Sequence, residues 1–370
     1  MPAPSRQLSA RALNRALLAR QGLLQPWQCS AVTAVERLIG LQAQSPTAPY
    51  IGLWSRLVDF EPDGLARLMQ RREVVRIALM RSTLQLVSAR DCLQLRPILA
   101  ADLARALPAP LREHPERAAI AERARAALQR QPRTFAELGT LLAAATPQLS
   151  PQLSPQDLCR IARNSLPLVQ ITPRGVWGQS MAATHTTAEA WLGRPLATGS
   201  DPAGLIRRYL TAFGPATVAD LAAWSGMAGL RAHVERLRPE LRSFSNERGQ
   251  ELLDIADGPL PDPDTPAPVR ILAEYDNLLL GHADRSRIFD DAHRSRFMSV
   301  NGIVRSTFLI DGFVAGTCAL SHAGRQSTAT LQPFGSLRPR DATALRELAA
   351  RLLAFAAPPA NRRQVVLAAD

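Results

Sequence analysis

At 370 residues and 46% apolar side chains, the chain is long enough for two or three modules around a shared core. No apolar run is long enough to cross a bilayer and the first residues lack the hydrophobic segment of a signal peptide, so the expected compartment is the cytoplasm. The formal charge is +12 and all 44 basic residues are arginine, which gives a permanently charged surface suited to a polyanion and leaves no lysine amine for imine chemistry.

In chain order, one arrangement recurs: helices, then a strand, a turn and a strand. The first unit (residues 1–115) carries helical periodicity over 12–21, 31–41 and 64–70, with alternating residues 74–79 and 83–87 as a wing. The second (116–200) has a helix over 135–145, with Phe135, Leu138, Leu141 and Leu142 on one stripe, then a Pro- and Ser-rich insert (146–155) and a helix over 156–164. Its wing is read as 168–171 and Val176-Trp177 around the turn Thr172-Pro173-Arg174-Gly175. In the third (201–258), a helix over 205–213 ends at Gly214-Pro215 and Thr217 N-caps a helix over 218–224. A helix over 230–237 and strands over 241–245 and 251–255 follow. Beyond a Pro- and Asp-rich linker, residues 269–370 read as β-rich. There a hairpin turns at Asp311-Gly312, a further strand covers 327–332, and a helix covers 342–355. The predicted fold class is therefore α+β: tandem winged-helix units with a C-terminal β-rich region. The competing reading is three helical pieces of an unrelated α+β fold.

Cys29, Cys92, Cys159 and Cys318 are too scattered for a zinc, redox or iron–sulfur motif. The six histidines, His185, His282 and His293 among them, form no ligand pattern, and the phosphate-cradling and nucleophile-elbow glycine motifs are absent. No cofactor or metal is expected.

Several segments resemble the winged-helix DNA glycosylases of the AlkZ/YcaQ type. They are Leu13-Asn14-Arg15-Ala16, Leu38 to Gln44, Ala48 to Arg56, Arg81-Ser82-Thr83-Leu84 with Val87 to Asp91, Thr187 to Gly193, and Glu274 to Leu280 with His282 to Arg287. The resemblance implies three winged-helix motifs, and a catalytic signature of Gln, an apolar residue, then Gln or Asp. Gln42-Ala43-Gln44 matches the Gln-ending, AlkZ-like form, a branch associated with self-resistance to DNA-alkylating antibiotics. One position departs: relatives often carry His where Gln85 stands, and Gln85 can hydrogen-bond but not supply a proton.

An amide pair is a weak general base. It suffices where the base already carries charge: N7-alkylguanine or N3-alkyladenine leaves without protonation, so the enzyme has only to place a water against an oxocarbenium-like sugar. Residues two apart do not share a helix face, so Gln42 and Gln44 are expected where the second helix runs out into Ser45-Pro46. Without the resemblance, Gln42 reads as a helix cap and Gln44 as a solvated residue.

The candidate DNA contacts are Arg81, at the first wing turn, and Asn277, His282, Arg285 and Arg287. The alternative for these residues is a surface ion network with Asp276 and Asp284. Tyr50 and Trp54 could stack on bases, though their spacing suits a core.

The expected activity is a monofunctional, metal-independent DNA glycosylase acting as a monomer on double-stranded DNA. The rivals are a multi-winged-helix transcriptional regulator, a non-catalytic DNA-binding protein, and a glycosylase-lyase whose only available amine would be that of Pro2.

Overall fold

A computed structural model describes residues 6–145, 152–199, 201–357 and 362–368. Residues 146–151 of the predicted insert, and Pro2, lie outside these.

Strand β1 (Gln7–Leu8) precedes the helix Ala10–Arg20, which Ser9 caps by accepting from the Ala12 N–H at 3.1 Å. Helices Ala31–Arg37, Ala48–Trp54 and Pro62–Gln70 follow, with β2 (Leu41–Gln42) between the first two. The expected first wing is the hairpin β3 (Val74–Ala78) and β4 (Leu84–Ser88). In the second unit β5 (Arg133–Thr134) leads into helices Phe135–Ala145 and Pro155–Ser165, then β6 (Leu168–Gln170) and β7 (Thr184–Thr187). The return strand of this wing is thus Thr184–Thr187. Val176-Trp177, expected to be that strand, lies instead in a loop whose Trp177 N–H donates to the Tyr50 hydroxyl at 3.0 Å.

Helices Ala203–Phe213, Val218–Ser225 and Leu230–Leu237 then precede β8 (Leu241–Asn246) and β9 (Glu251–Ile255). The Thr217 cap is present: its hydroxyl accepts from the Asp220 N–H at 3.0 Å while Asp220 accepts from the Thr217 N–H at 2.9 Å. The last third holds β10 (Arg270–Leu272), the short helix Asn277–Leu280, β11 (Thr307–Ile310), β12 (Phe313–Ala323), β13 (Gln326–Pro333), the helix Pro339–Ala356 and β14 (Arg362–Leu367).

These strands form three sheets. The wings of the first two units merge in one six-stranded sheet, β2-β4-β3-β6-β7-β5, because β3 pairs with β6 as well as β4. The third wing pairs with β1, and β10 to β14 form the C-terminal sheet beneath Leu345, Leu348 and Leu352 of the helix Pro339–Ala356. Positive φ at both Asp311 and Gly312 is the backbone that a two-residue hairpin turn requires.

The first helix, assigned by sequence to the first unit, is docked on the third. Arg20 forks onto Asp254 at 2.8 Å through both guanidinium nitrogens, and Gln21 donates to the Ala212 carbonyl at 2.7 Å. Among the described residues, no helix is long and apolar enough to cross a membrane.

Candidate active site

The glutamine motif does not end a helix. The helix Ala31–Arg37 stops early, and Ile39 and Gly40 turn the chain with positive φ into β2. Gly40 is required by contact as well as conformation: a Cβ there would fall 2.7 Å from Val87 Cγ1. β2 then lies antiparallel to β4, with Leu41 opposite Leu86 and Gln42 opposite Gln85, and pairing continues one residue on, where the Ala43 N–H donates to the Leu84 carbonyl at 2.7 Å.

Register fixes the direction of Gln42, while Gln44 lies in a bend just past the end of the strand. Across the sheet Gln42, Gln85 and Ile77 form one row; Leu41, Leu86 and Arg76 form the next, on the opposite face. Gln42 is nearly buried at 7% exposure, Gln85 is buried, and Gln44 is exposed. Gln85 donates to the Thr83 hydroxyl at 2.7 Å.

Arg81 bounds this side of the sheet. It sits in the tight turn between β3 and β4, where it and Ser82 both have positive φ, an uncommon conformation for side-chain-bearing residues. The second and third units both hold that turn. Arg163, from the second, donates to the Ser82 carbonyl at 2.7 Å, and Ser82 donates to Asn164 Oδ1 at 2.7 Å. Gly226, from the third, lies so close that a Cβ would stand 3.1 Å from the Arg81 nitrogen. The Arg81 guanidinium donates to the Trp224 carbonyl and, at 3.2 Å, to Gln42 Oε1. Burial, with Arg285 adding repulsion, brings its pKa down to about 10, and it remains a cation at neutral pH.

The C-terminal candidates divide. Arg285 is half-buried near Arg81, its Nε donating to the His282 carbonyl at 3.1 Å, and burial with Arg294 lowers its pKa. Asn277, His282 and Arg287 lie in the interior. Asn277 donates to the Gly40 carbonyl at 2.7 Å, bracing the turn before the motif. His282 Nε2 meets the Phe213 carbonyl at 3.0 Å, and Arg287 donates to the Pro215 carbonyl at 2.8 Å. Burial, with Arg287 beside it, pushes the His282 pKa down to about 3, so the ring is neutral. Asp220 clasps the same loop from the third unit, accepting from the Ala283 N–H at 2.9 Å. In this arrangement the three side chains hold the loop in place and do not present themselves to a duplex. The surface ion network imagined for Asp276 is likewise a buried pair, with Arg56, at 2.7 and 2.9 Å. Tyr50 is core, as its spacing indicated, and packs on Trp177; Trp54 packs on Phe355.

Sequence reasoning missed Arg76. This arginine lies behind the motif and donates to the Ala43 carbonyl at 2.6 Å. Its only signal was a charged residue inside an otherwise apolar strand. Cys92, Cys159 and Cys318 are buried, and among the described residues no cluster of three or more His, Cys, Asp or Glu could hold a metal ion.

The family model for DNA glycosylases of the AlkZ-like type matches residues 35–355, and the chain belongs to that family. Its fold is similar to that of the Streptomyces sahachiroi DNA glycosylase AlkZ, with a TM-score of 0.78 over 97% of this chain and 100% of that one, at 19% identity. No curated protein sequence matches the chain.

Proposed function

We propose that the protein is a monofunctional DNA glycosylase that hydrolyses the N-glycosidic bond of alkylated purines, N7-alkylguanine and N3-alkyladenine, in double-stranded DNA. The observation that carries this reading is Gln42, paired beside Gln85 and held by Arg81, two residues before the exposed Gln44, with Arg285 close to Arg81.

The alkyl group makes the base cationic, so the C1′–N bond breaks with its electron pair going to the base, which leaves neutral. Water supplies the new C1′–O bond and loses its proton to solvent. Arg81 holds the Gln42 carbonyl oxygen, which turns the Gln42 amino group the other way as a fixed donor. Gln44, exposed, orients the attacking water. Neither step calls on a metal or an amine nucleophile, which fits the scattered ligand residues and the absence of lysine. Arg285, half-buried beside Arg81, takes a backbone phosphate, and Arg81 adds positive charge to the same region. One chain carries the whole motif, so a monomer suffices, and the substrate places the protein with the nucleoid in the cytoplasm. Where an adduct bridges two strands, breaking one of its glycosidic bonds unhooks the crosslink; in this setting the activity would protect against a DNA-alkylating natural product.

The test is incubation of the purified protein with duplex DNA carrying N7-methylguanine. The expected products are free modified base and an intact abasic site, with no effect of chelator and no borohydride-trapped adduct. Gln42→Ala and Gln44→Ala should each slow excision by about a hundredfold to a thousandfold, the loss on removing one preorganised transition-state group, while DNA affinity is retained. Gln44→Asp should stay active, since Asp occurs there in the family signature. Wild-type rates in both Ala variants would remove the motif from the chemistry, and binding without base release would favour a non-catalytic DNA-binding protein.

A further inference from the structure

Arg76 lies at the centre of β3, 2% exposed, and among the described residues no carboxylate is within ion-pair reach of it. Its Nη2 donates to the Ala43 carbonyl at 2.6 Å, while Nε and Nη1 have no partner among the described residues. The second unit closes over it from behind. Gly175, at φ +90°, is so near that a Cβ would fall 2.7 Å from Nη1 and 2.8 Å from Cδ, and the Gly175 carbonyl is fixed by the Tyr50 hydroxyl at 2.9 Å. A buried cation without a counter-ion is costly, and an apolar side chain of similar length would fill the same space at less cost. A residue that carries that cost at the back of the strand bearing the motif calls for a role.

The register supplies one. Arg76 is on the sheet face opposite Gln42, so it cannot touch a substrate there, and its one bond is to the peptide between Ala43 and Gln44. That peptide is planar and trans, with C=O and N–H pointing in opposite directions. Drawing the Ala43 carbonyl inward to Arg76 therefore directs the Gln44 N–H outward, where it has no partner among the described residues. The charged donor also polarises the peptide and strengthens that N–H. We propose that Arg76 is the positioning residue of the motif: it locks the Ala43–Gln44 peptide, and so fixes the direction of Gln44 at the point where the strand opens into a loop. The inference rests on the assignment of Gln44 to the chemical step.

The test uses the full chain with Arg76→Met and Arg76→Lys, measuring single-turnover excision, DNA affinity, thermal stability and amide exchange at Ala43. Arg76→Met should melt no lower than wild type and bind DNA unchanged. It should excise more slowly by on the order of tenfold to a hundredfold, the scale of a small misplacement, and exchange the Ala43 amide faster. Arg76→Lys, which keeps a buried donor, should recover part of the rate. A merely structural arginine would lower stability and activity together, and a wild-type excision rate in Arg76→Met would overturn the proposal. Should Arg76→Met not fold, Gly175→Ala decides: it displaces the guanidinium without removing its charge, so the rate should fall at constant affinity, and an unchanged rate overturns the proposal. Gln44→Ala is measured in parallel. If it excises normally, the active-site assignment fails; if it is slow while Arg76→Met is fast, only the role of Arg76 fails.

Discussion

Two sets of interior arginines are treated in opposite ways. Arg20 and Arg56 fork onto Asp254 and Asp276, at 2.7 to 2.9 Å, with all four side chains buried. Each pair staples segments far apart in sequence, the first helix to the third wing and the turn after the helix Ala48–Trp54 to the C-terminal region. Arg76 and Arg81, around the glutamine motif, are matched only to carbonyl and amide oxygens. These two staples neutralise charge where they join distant segments. Arg76 and Arg81, beside the motif, have no carboxylate partner among the described residues, a feature they share with the interior Arg96, which bonds to the Asn164 and Leu166 carbonyls.

The sharpest way to break this contrast is to remove one member of a staple. Asp276→Asn keeps a capping residue but leaves Arg56 charged and buried, so unfolding in denaturant should show a loss of about 3–5 kcal/mol. The double variant Arg56→Met with Asp276→Asn should recover part of it, since no lone charge remains. A loss near zero in the single variant would mean that the pair contributes nothing and the contrast is empty.

A smaller stability effect is expected at the motif. Arg81→Met strands the Trp224 carbonyl and the Gln42 amide oxygen but no charge, so it should cost about 1–3 kcal/mol. Its larger consequence is functional: single-turnover excision should fall further than stability predicts, because Gln42 is released. If Arg81→Met is as destabilising as Asp276→Asn and excises normally, Arg81 belongs with the staples.

The smallest effect is expected at Arg285, which is half-buried and lacks a carboxylate partner among the described residues. Arg285→Ala should leave stability nearly unchanged and flatten the log–log salt dependence of DNA binding by about one unit, the signature of one lost phosphate contact. An unchanged slope with unchanged affinity would take Arg285 out of the interface.

What the sequence determined by itself is the local structure and the catalytic candidates. Apolar periodicity marked the helices of all three units, Thr217 marked its cap, and Asp311-Gly312 marked its hairpin, because each depends on neighbours within a few residues. The Gln-Ala-Gln motif was recognisable by resemblance alone, without any geometry. Tertiary structure decided the rest. The motif was expected at a helix end; pairing with β4 makes its first residue part of a strand and sets Gln42 opposite Gln85, with Gln44 in the bend that follows. The merging of two wings in one sheet, and the docking of the first helix on the third unit, depend on partners more than a hundred residues away or in another unit, which no local pattern encodes. The same holds for the arginines. In the sequence all of them read as surface charge for a polyanion, and it is the packing around each that makes Arg56 a staple and Arg285 a half-exposed cation, and leaves Arg76 a buried one with no counter-ion.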